Sequence, residues 1–266
     1  NWWGPAGAVG PCGPDTEIFY WVGKGNPVNN INNSNWMEIW NDVFMQYMKD
    51  SKGNYNTAKQ QNVDTGMGVE RTIVALSGVK TIYDTLLFKP VIIEIEKISN
   101  KKYEKNLKAF RIIVDHVRSS VFIINDGIIP SNTGQGYVLR RLIRRSIKYG
   151  KEIGIKKNFT TILAKLFVEI MKKSYPELVE NKRRILEELN SEEDKFNSTL
   201  EKGLKEFNKI ATNNKSISGK SAFLLYQSYG FPIEMTTELA KEKKIKIDVK
   251  GFETENKKHQ ELSRKS

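Results

Sequence analysis

The stretch Val-Asp-Thr-Gly-Met-Gly-Val-Glu-Arg at positions 63–71 sets two glycines between an aspartate and a Glu-Arg pair, directly ahead of the apolar run Ile73-Val74-Ala75-Leu76. It lacks the G-K-[ST] ending of a Walker A loop and the third glycine of the dinucleotide fingerprint. Glycines at 66 and 68 let the backbone pass close to a ligand or adopt a positive φ. A helix is expected from about Val69 to Ser77 with Gly78 as its stop, and its first N–H groups offer a positive end to a phosphate. Arg71, one turn in, adds a two-pronged donor suited to phosphate oxygens. Asp64 supplies a carboxylate that could hold an ammonium group. The same spacing also fits a plain turn into a helix, with Asp64 as the cap and Arg71 solvated; spacing alone leaves both readings standing.

Upstream, residues 1–35 are rich in Gly, Pro and Asn around one apolar run, 17–22, that reads as a strand. The opening Asn1–Phe19 stretch combines rigid turns with Trp2 and Trp3, which suits the wall of a small-ligand pocket and equally a Trp pair buried beneath a loop. Residues 36–48 alternate as a strand, with Glu38, Trp40, Asp42, Phe44 and Gln46 on one face and Met37, Ile39, Asn41, Val43 and Met45 on the other. Residues 29–35 and 50–56 read as loops. From about residue 81 the pattern turns helical. Pro90 divides 84–98 into two short segments or starts a helix there. Helices are expected over about 109–127, 137–150 with Gly150 as the stop, 159–173, 178–211 and 222–229. The change from strand-bearing to helical composition falls near 80–100.

Lys and Arg number 43 against 31 Asp and Glu, a net charge of +12 with pI near 9.5. That excess points to a polyanionic partner, although a Lys- and Asn-rich proteome produces the same balance. Cys12 is the only cysteine and the two histidines, His116 and His259, are far apart, so neither a disulfide framework nor a zinc site is expected. No apolar run approaches the roughly 20 residues of a bilayer span and no signal peptide opens the chain, so a soluble cytoplasmic protein is the expectation. The Asn1 start and the charged ending read as cuts from something longer.

The helix at 137–150 carries Arg140, Arg141, Arg144, Arg145 and Lys148 around an apolar stripe. Arginines at that density repel one another unless something neutralises them. A phosphate backbone would do so, as would an acidic helix such as 186–194. In the preceding loop, 131–136, Asn132 could present its amide to a base edge or simply close an Asx-turn.

Taken together, G-P-C-G-P-D-T-E-I-F (10–19), E-I-W-N-D-V-F-M-Q (38–46), the 63–71 stretch, D-H-V-R-S-S-V-F (115–122), I-P-S-N-T-G-Q-G-Y-V-L-R-R-L-I-R-R (129–145) and A-F-L-L-Y-Q-S-Y-G-F-P (222–232) resemble, in order and over nearly the whole chain, the alanyl-tRNA synthetases of class II. The resemblance implies an α+β fold: part of the antiparallel β-sheet core of a class II synthetase, followed by an all-helical domain. It divides the chain into the second half of an aminoacylation core at 1–90, an acceptor-stem recognition domain at 91–245, and at 246–266 the start of a linker towards an editing domain. It implies an alanine–tRNA ligase that activates alanine with ATP and Mg²⁺ and transfers it to tRNA, a partner needed for translation.

Within that resemblance, 63–71 is the class II motif 3. Arg71 would clamp ATP phosphates, with Glu38, Gly66 and Gly68 also at the nucleotide. Asp64 would hold the α-ammonium of alanine, while Trp3, Asn41, Val43 and Gly66 would shape a pocket for its methyl group. Asn132 matches the residue that reads a G·U wobble pair in the acceptor stem. Its usual partner is an aspartate, and Gln227 stands there instead, which removes charge assistance from that contact. Arg140, Arg141, Arg144 and Arg145 would bind tRNA phosphates. Motifs 1 and 2 and the zinc-bearing editing domain are absent from the 266 residues, so the chain alone is expected not to aminoacylate. The alternative is a non-catalytic RNA-binding module derived from a synthetase.

Overall fold

Apolar and β-branched runs in the first part of the chain pair into an antiparallel sheet of order β1-β2-β3-β4, formed by β1 (Trp2–Trp3), β2 (Gly10–Trp21), β3 (Trp36–Lys49) and β4 (Tyr55–Met67). The computed structural model describes residues 1–212 and 214–265. β3 falls where alternation places a strand. β2 starts seven residues earlier than the apolar run at 17–22, because the Gly-Pro stretch from Gly10 is extended and paired rather than turned. Gly13 permits this: a Cβ there would stand 1.8 Å from the Phe44 carbonyl oxygen of β3. β4 has no counterpart in the sequence reading. Its residues are almost all exposed and mostly polar, so no period-2 signal marks it, and pairing with β3 is what makes it a strand.

The ladder between β2 and β3 slips twice, once between Cys12 and Asp15 and once between Ile18 and Phe19. Ile18 faces Trp40 and Phe19 faces Glu38, which leaves Ile39 as an extra residue of β3. A one-residue slip exchanges faces. Glu38 therefore joins the face of Glu17 and Asn41, not that of Trp40 and Asp42 as unbroken alternation implies. The helix α1 (Val69–Ser77) starts and stops where expected, with Gly78 left-handed at φ 67° and its N–H donating to the Val74 carbonyl.

Two compact units divide at Lys89 and Pro90. The second contains α2 (Lys89–Ser99), α3 (Leu107–Asn125), α4 (Gly134–Glu152), α5 (Thr160–Met171), α6 (Glu177–Glu180), α7 (Lys182–Ala211), β5 (Ser216–Ile217), α8 (Gly219–Tyr229), α9 (Ile233–Glu242), β6 (Lys246–Ile247) and α10 (Val249–Lys265). Its core is built from the stripes Ile113, Val117, Val121 of α3, Leu139, Ile143, Ile147 of α4 and Leu189, Phe196, Leu200 of α7, all buried. Gly150 does not end α4, which continues to Glu152. The glycine is there for packing, since a Cβ would stand 2.4 Å from the Phe159 ring. Within 246–266, β6 pairs in parallel with β5 and α10 packs on α8 through Phe252. The fold class is α+β: an antiparallel sheet followed by helices.

Candidate functional site

Pairing across β2, β3 and β4 lines up two rows of residues. Asp15, Val43 and Asp64 form one; Glu17, Asn41 and Gly66 form the next. Directly opposed residues share a face, so Asn41, Val43, Asp64 and Gly66 gather on one surface of the sheet. Val43 is buried between two carboxylate-bearing positions. Asn41 Nδ2 donates to Asp15 Oδ2 at 3.2 Å, while Asp15 Oδ1 is buried with no partner among the described residues. Asp15 was not singled out from sequence; its place in the alternation of β2, level with Val43, was hidden by the unrecognised start of that strand.

Glu38 reaches the same face through the slip at Ile39. Arg71 Nη1 lies 3.0 Å from the Glu38 carbonyl oxygen and 3.3 Å from its carboxylate Oε2. Neither glycine of the opening stretch has a positive φ. Gly68 serves as the N-cap residue of α1 with extended backbone, its N–H donating to the Ile39 carbonyl at 3.0 Å. The Arg71 stem lies close to Gly68, where a Cβ would stand 3.3 Å from Arg71 Cδ. Gly66 faces open space within 4 Å. Asp64 lies within β4 and is not the cap of α1, so the plain-turn reading fails on its capping element. Trp3, half-exposed on β1, pairs with Gly13 and so comes level with Phe44, the neighbour of Val43.

In the second unit, Asn132, Arg140, Arg144 and Gln227 line one cleft of about 530 Å³, together with Tyr137 and Tyr226. Asn132 Oδ1 accepts a hydrogen bond from Arg140 Nη1. Arg144 is buried, donating from Nε to Glu192 Oε1 at 2.6 Å and from Nη1 to the Gly230 carbonyl. Burial pulls the Arg144 pKa down, against the pull of Glu192. Arg141 pairs with Glu234 at 2.8 Å. Arg145 grips both oxygens of Glu238 at 2.8 and 3.0 Å and places Nη1 2.9 Å from His116 Nε2.

Three carboxylates of the chain thus pair with the four crowded arginines of α4, Arg140 and Arg144 sharing Glu192 at 3.5 and 2.6 Å, which offsets most of their mutual repulsion. Glu192 comes from the acidic stretch at 186–194. Glu234 and Glu238 come from α9, a helix absent from the sequence reading although Pro232 ahead of it is a start signal. Burial opposes ionisation of Glu238, but hydrogen bonds from Arg145 and Tyr149 overcome it and hold its pKa at about 2. Tyr149, which donates to Glu238 at 2.6 Å, is pushed up to about 12 by burial and that carboxylate.

Among the described residues no cluster of three or more His, Cys, Asp or Glu could hold a metal, and no helix is long and apolar enough to cross a membrane. With this geometry, residues 1–266 match the family model described as tRNA synthetases class II (A), and the chain belongs to that family. Within it, the similarity is to proteins named alanine–tRNA ligase. The one from Borrelia hermsii is 50% identical over 276 residues, covering 100% of this chain and 46% of the relative. Those of Treponema pallidum and a Thermotoga species are each 42% identical, covering 99% and 100% of this chain and 46% and 32% of the relatives. The chain therefore spans less than half the length of these relatives.

Proposed function

We propose that the chain is part of an alanine–tRNA ligase of the cytoplasm and works in protein biosynthesis, activating alanine with ATP and passing it to tRNA. The observation that carries this reading is the gathering of Asp64, Gly66, Asn41 and Val43 on one sheet face, with Arg71 and Glu38 at its end, in a class II synthetase chain. Asp64 binds the α-ammonium of alanine. Gly66, with open space before it, lets the substrate backbone approach. Val43 and Asn41, with Trp3 at the rim, limit the pocket to a methyl side chain. The alanine carboxylate attacks the α-phosphate of ATP, giving alanyl-adenylate and pyrophosphate. Arg71 holds the phosphates in line and offsets their charge, with Gly68 leaving room for its stem.

Magnesium enters with ATP. Glu38 would be a carboxylate that holds it, and the ion would offset charge on the phosphates. In the second unit, Asn132 and Gln227 read the G·U pair of the acceptor stem of tRNA-Ala. Arg140, Arg141, Arg144 and Arg145 form the basic bank beside them, Arg140 and Arg141 meeting phosphates and the more buried Arg144 and Arg145 holding the α4 wall in place.

The test is alanine-dependent ATP–pyrophosphate exchange by the chain alone and by the chain joined to the remaining residues of the Borrelia hermsii relative. Exchange is expected from the joined protein and lost in Asp64→Ala and Arg71→Ala; full exchange in both variants overturns the assignment. A second reading, a non-catalytic RNA-binding module, is favoured by the fact that every residue of the Asn132 cleft lies in one compact unit. Exchange activity in the joined protein decides against it.

A further inference from the structure

The cleft that holds Asn132 and Gln227 has another wall, supplied by α10. Phe252 is buried, with its ring centroid 5.6 Å from Tyr226 and 6.2 Å from Phe223 of α8, and this anchor sets how α10 faces the cleft. Positions four and seven residues on, Asn256 and His259, share the helical stripe of Phe252. Both line the cleft with Asn132, Arg140 and Gln227. The His259 ring stands 5.6 Å from that of Phe223, which steadies it. The side chains of Asn256, His259 and Gln227 make no hydrogen bond to a described residue, so their polar atoms are available to a ligand.

We propose that Asn256 and His259 contact the RNA strand beside the base pair read by Asn132 and Gln227, hydrogen-bonding ribose 2′-hydroxyls; this rests on the RNA-binding reading above. The chemistry of the wall selects that group. Phosphates call for cations, and the cation of the cleft given to phosphates above, Arg140, belongs to α4. The α10 side offers a neutral amide and an imidazole, each with a donor and an acceptor in its uncharged form. The 2′-hydroxyl both donates and accepts, and the shallow minor groove of A-form RNA displays it next to the base edges.

The experiment measures binding of a hairpin RNA carrying the G·U pair, its single 2′-deoxy variants and the all-DNA hairpin to the 266-residue chain and to Asn132→Ala, Asn256→Ala and His259→Ala, with thermal melts to check folding. Asn256→Ala and His259→Ala should each weaken RNA binding about fivefold, the loss of about one net hydrogen bond. Each should also become insensitive to the one 2′-deoxy substitution that weakens the wild type. Equal weakening on RNA and DNA, or unchanged binding with Asn132→Ala still losing discrimination, overturns the inference alone. No binding of the hairpin by the wild type overturns the RNA-binding reading and the inference with it. If Asn256→Ala melts early, Asn256→Leu, similar in size and uncharged but without the amide, replaces it with the same expected pattern.

Discussion

Arg71 of α1 reaches back over Gly68 to Glu38 of β3, donating from one nitrogen to both its carbonyl and its carboxylate oxygens at 3.0 and 3.3 Å. Thirty-three residues separate the pair in sequence, and the slip at Ile39 is what turns Glu38 towards it. Both side chains are substantially solvent-exposed, at 51% and 36%. An exposed pair contributes at most about 1 kcal/mol to stability. Its geometry therefore matters for what Arg71 can reach rather than for holding the fold.

Arg71→Lys should accordingly leave the melting temperature within a degree or two while lowering pyrophosphate exchange in the joined protein by about 10²-fold, the scale for losing one aimed donor. Differential scanning fluorimetry beside the exchange assay separates the two effects. A coupled fall in both would assign Arg71 to the fold.

Asp64→Asn should raise the KM for alanine by at least about tenfold, since charge-assisted bonds are worth about 1.5–3 kcal/mol. Asp15→Ala, which frees the Asn41 amide, should raise it less, by about fivefold. Steady-state exchange at varied alanine concentration reads both. An Asp15 effect larger than that of Asp64 would make Asp15 the ammonium ligand.

Breaking the buried Arg144–Glu192 pair should be costly to the helical unit. Glu192→Ala leaves a buried guanidinium uncompensated and should destabilise by about 3–5 kcal/mol. The double change Arg144→Met with Glu192→Leu should recover most of that loss. Urea denaturation followed by circular dichroism measures each, and a double variant no better than the single one would sink the argument.

Acid should weaken the second unit through Glu238. Its folded pKa of about 2 lies below the ordinary carboxylate value of 4.5, so its contribution is present above pH 4.5 and lost as pH falls towards 2. Burial shifts Glu193 the opposite way, so total stability mixes the two signs. The difference between wild type and Glu238→Gln isolates the Glu238 part. Urea midpoints for the two proteins should converge between pH 4.5 and 2, and parallel curves would contradict the pairing.

Gly150→Ala should destabilise despite alanine's better helix propensity. Propensity favours alanine by about 1 kcal/mol, whereas the added methyl meets the Phe159 ring, and overpacking costs about 1–3 kcal/mol. A rise in melting temperature would return Gly150 to the role of a helix stop.

What the residues reveal by themselves follows from where the signal resides. α1 was legible to the residue because a glycine pair, an apolar run and Gly78 mark its start, body and end within a few positions. β4 was not, because an exposed edge strand made of Tyr55, Asn56, Thr57, Lys59 and Gln60 has no buried face to impose alternation. Asn132 and Gln227 were recognisable by motif and meet in one cleft. Of the arginines beside them, Arg140 and Arg144 meet Glu192, within the acidic stretch that the sequence offers as a partner, while Arg141 and Arg145 do not. The carboxylate partners of Arg141 and Arg145, Glu234 and Glu238, lie more than ninety residues away on a helix whose start signal was overlooked. The face occupied by Glu38 could not have been read from β3 alone, since the slip exists only in its pairing with β2.

That slip also separates two properties of position 39. Its carbonyl accepts from Gly68 and so tethers the head of α1, while on the β2 side the residue has no partner in the ladder. Removing Ile39 would regularise the β2 ladder between Ile18 and Phe19 and keep Glu38 opposite Phe19, yet it would shorten β3 by one step against β4 and pull the tether away from α1. Position 39 thus acts as a spacer whose presence matters more than its identity: a library of substitutions there should be broadly tolerated, and a single-codon deletion should not.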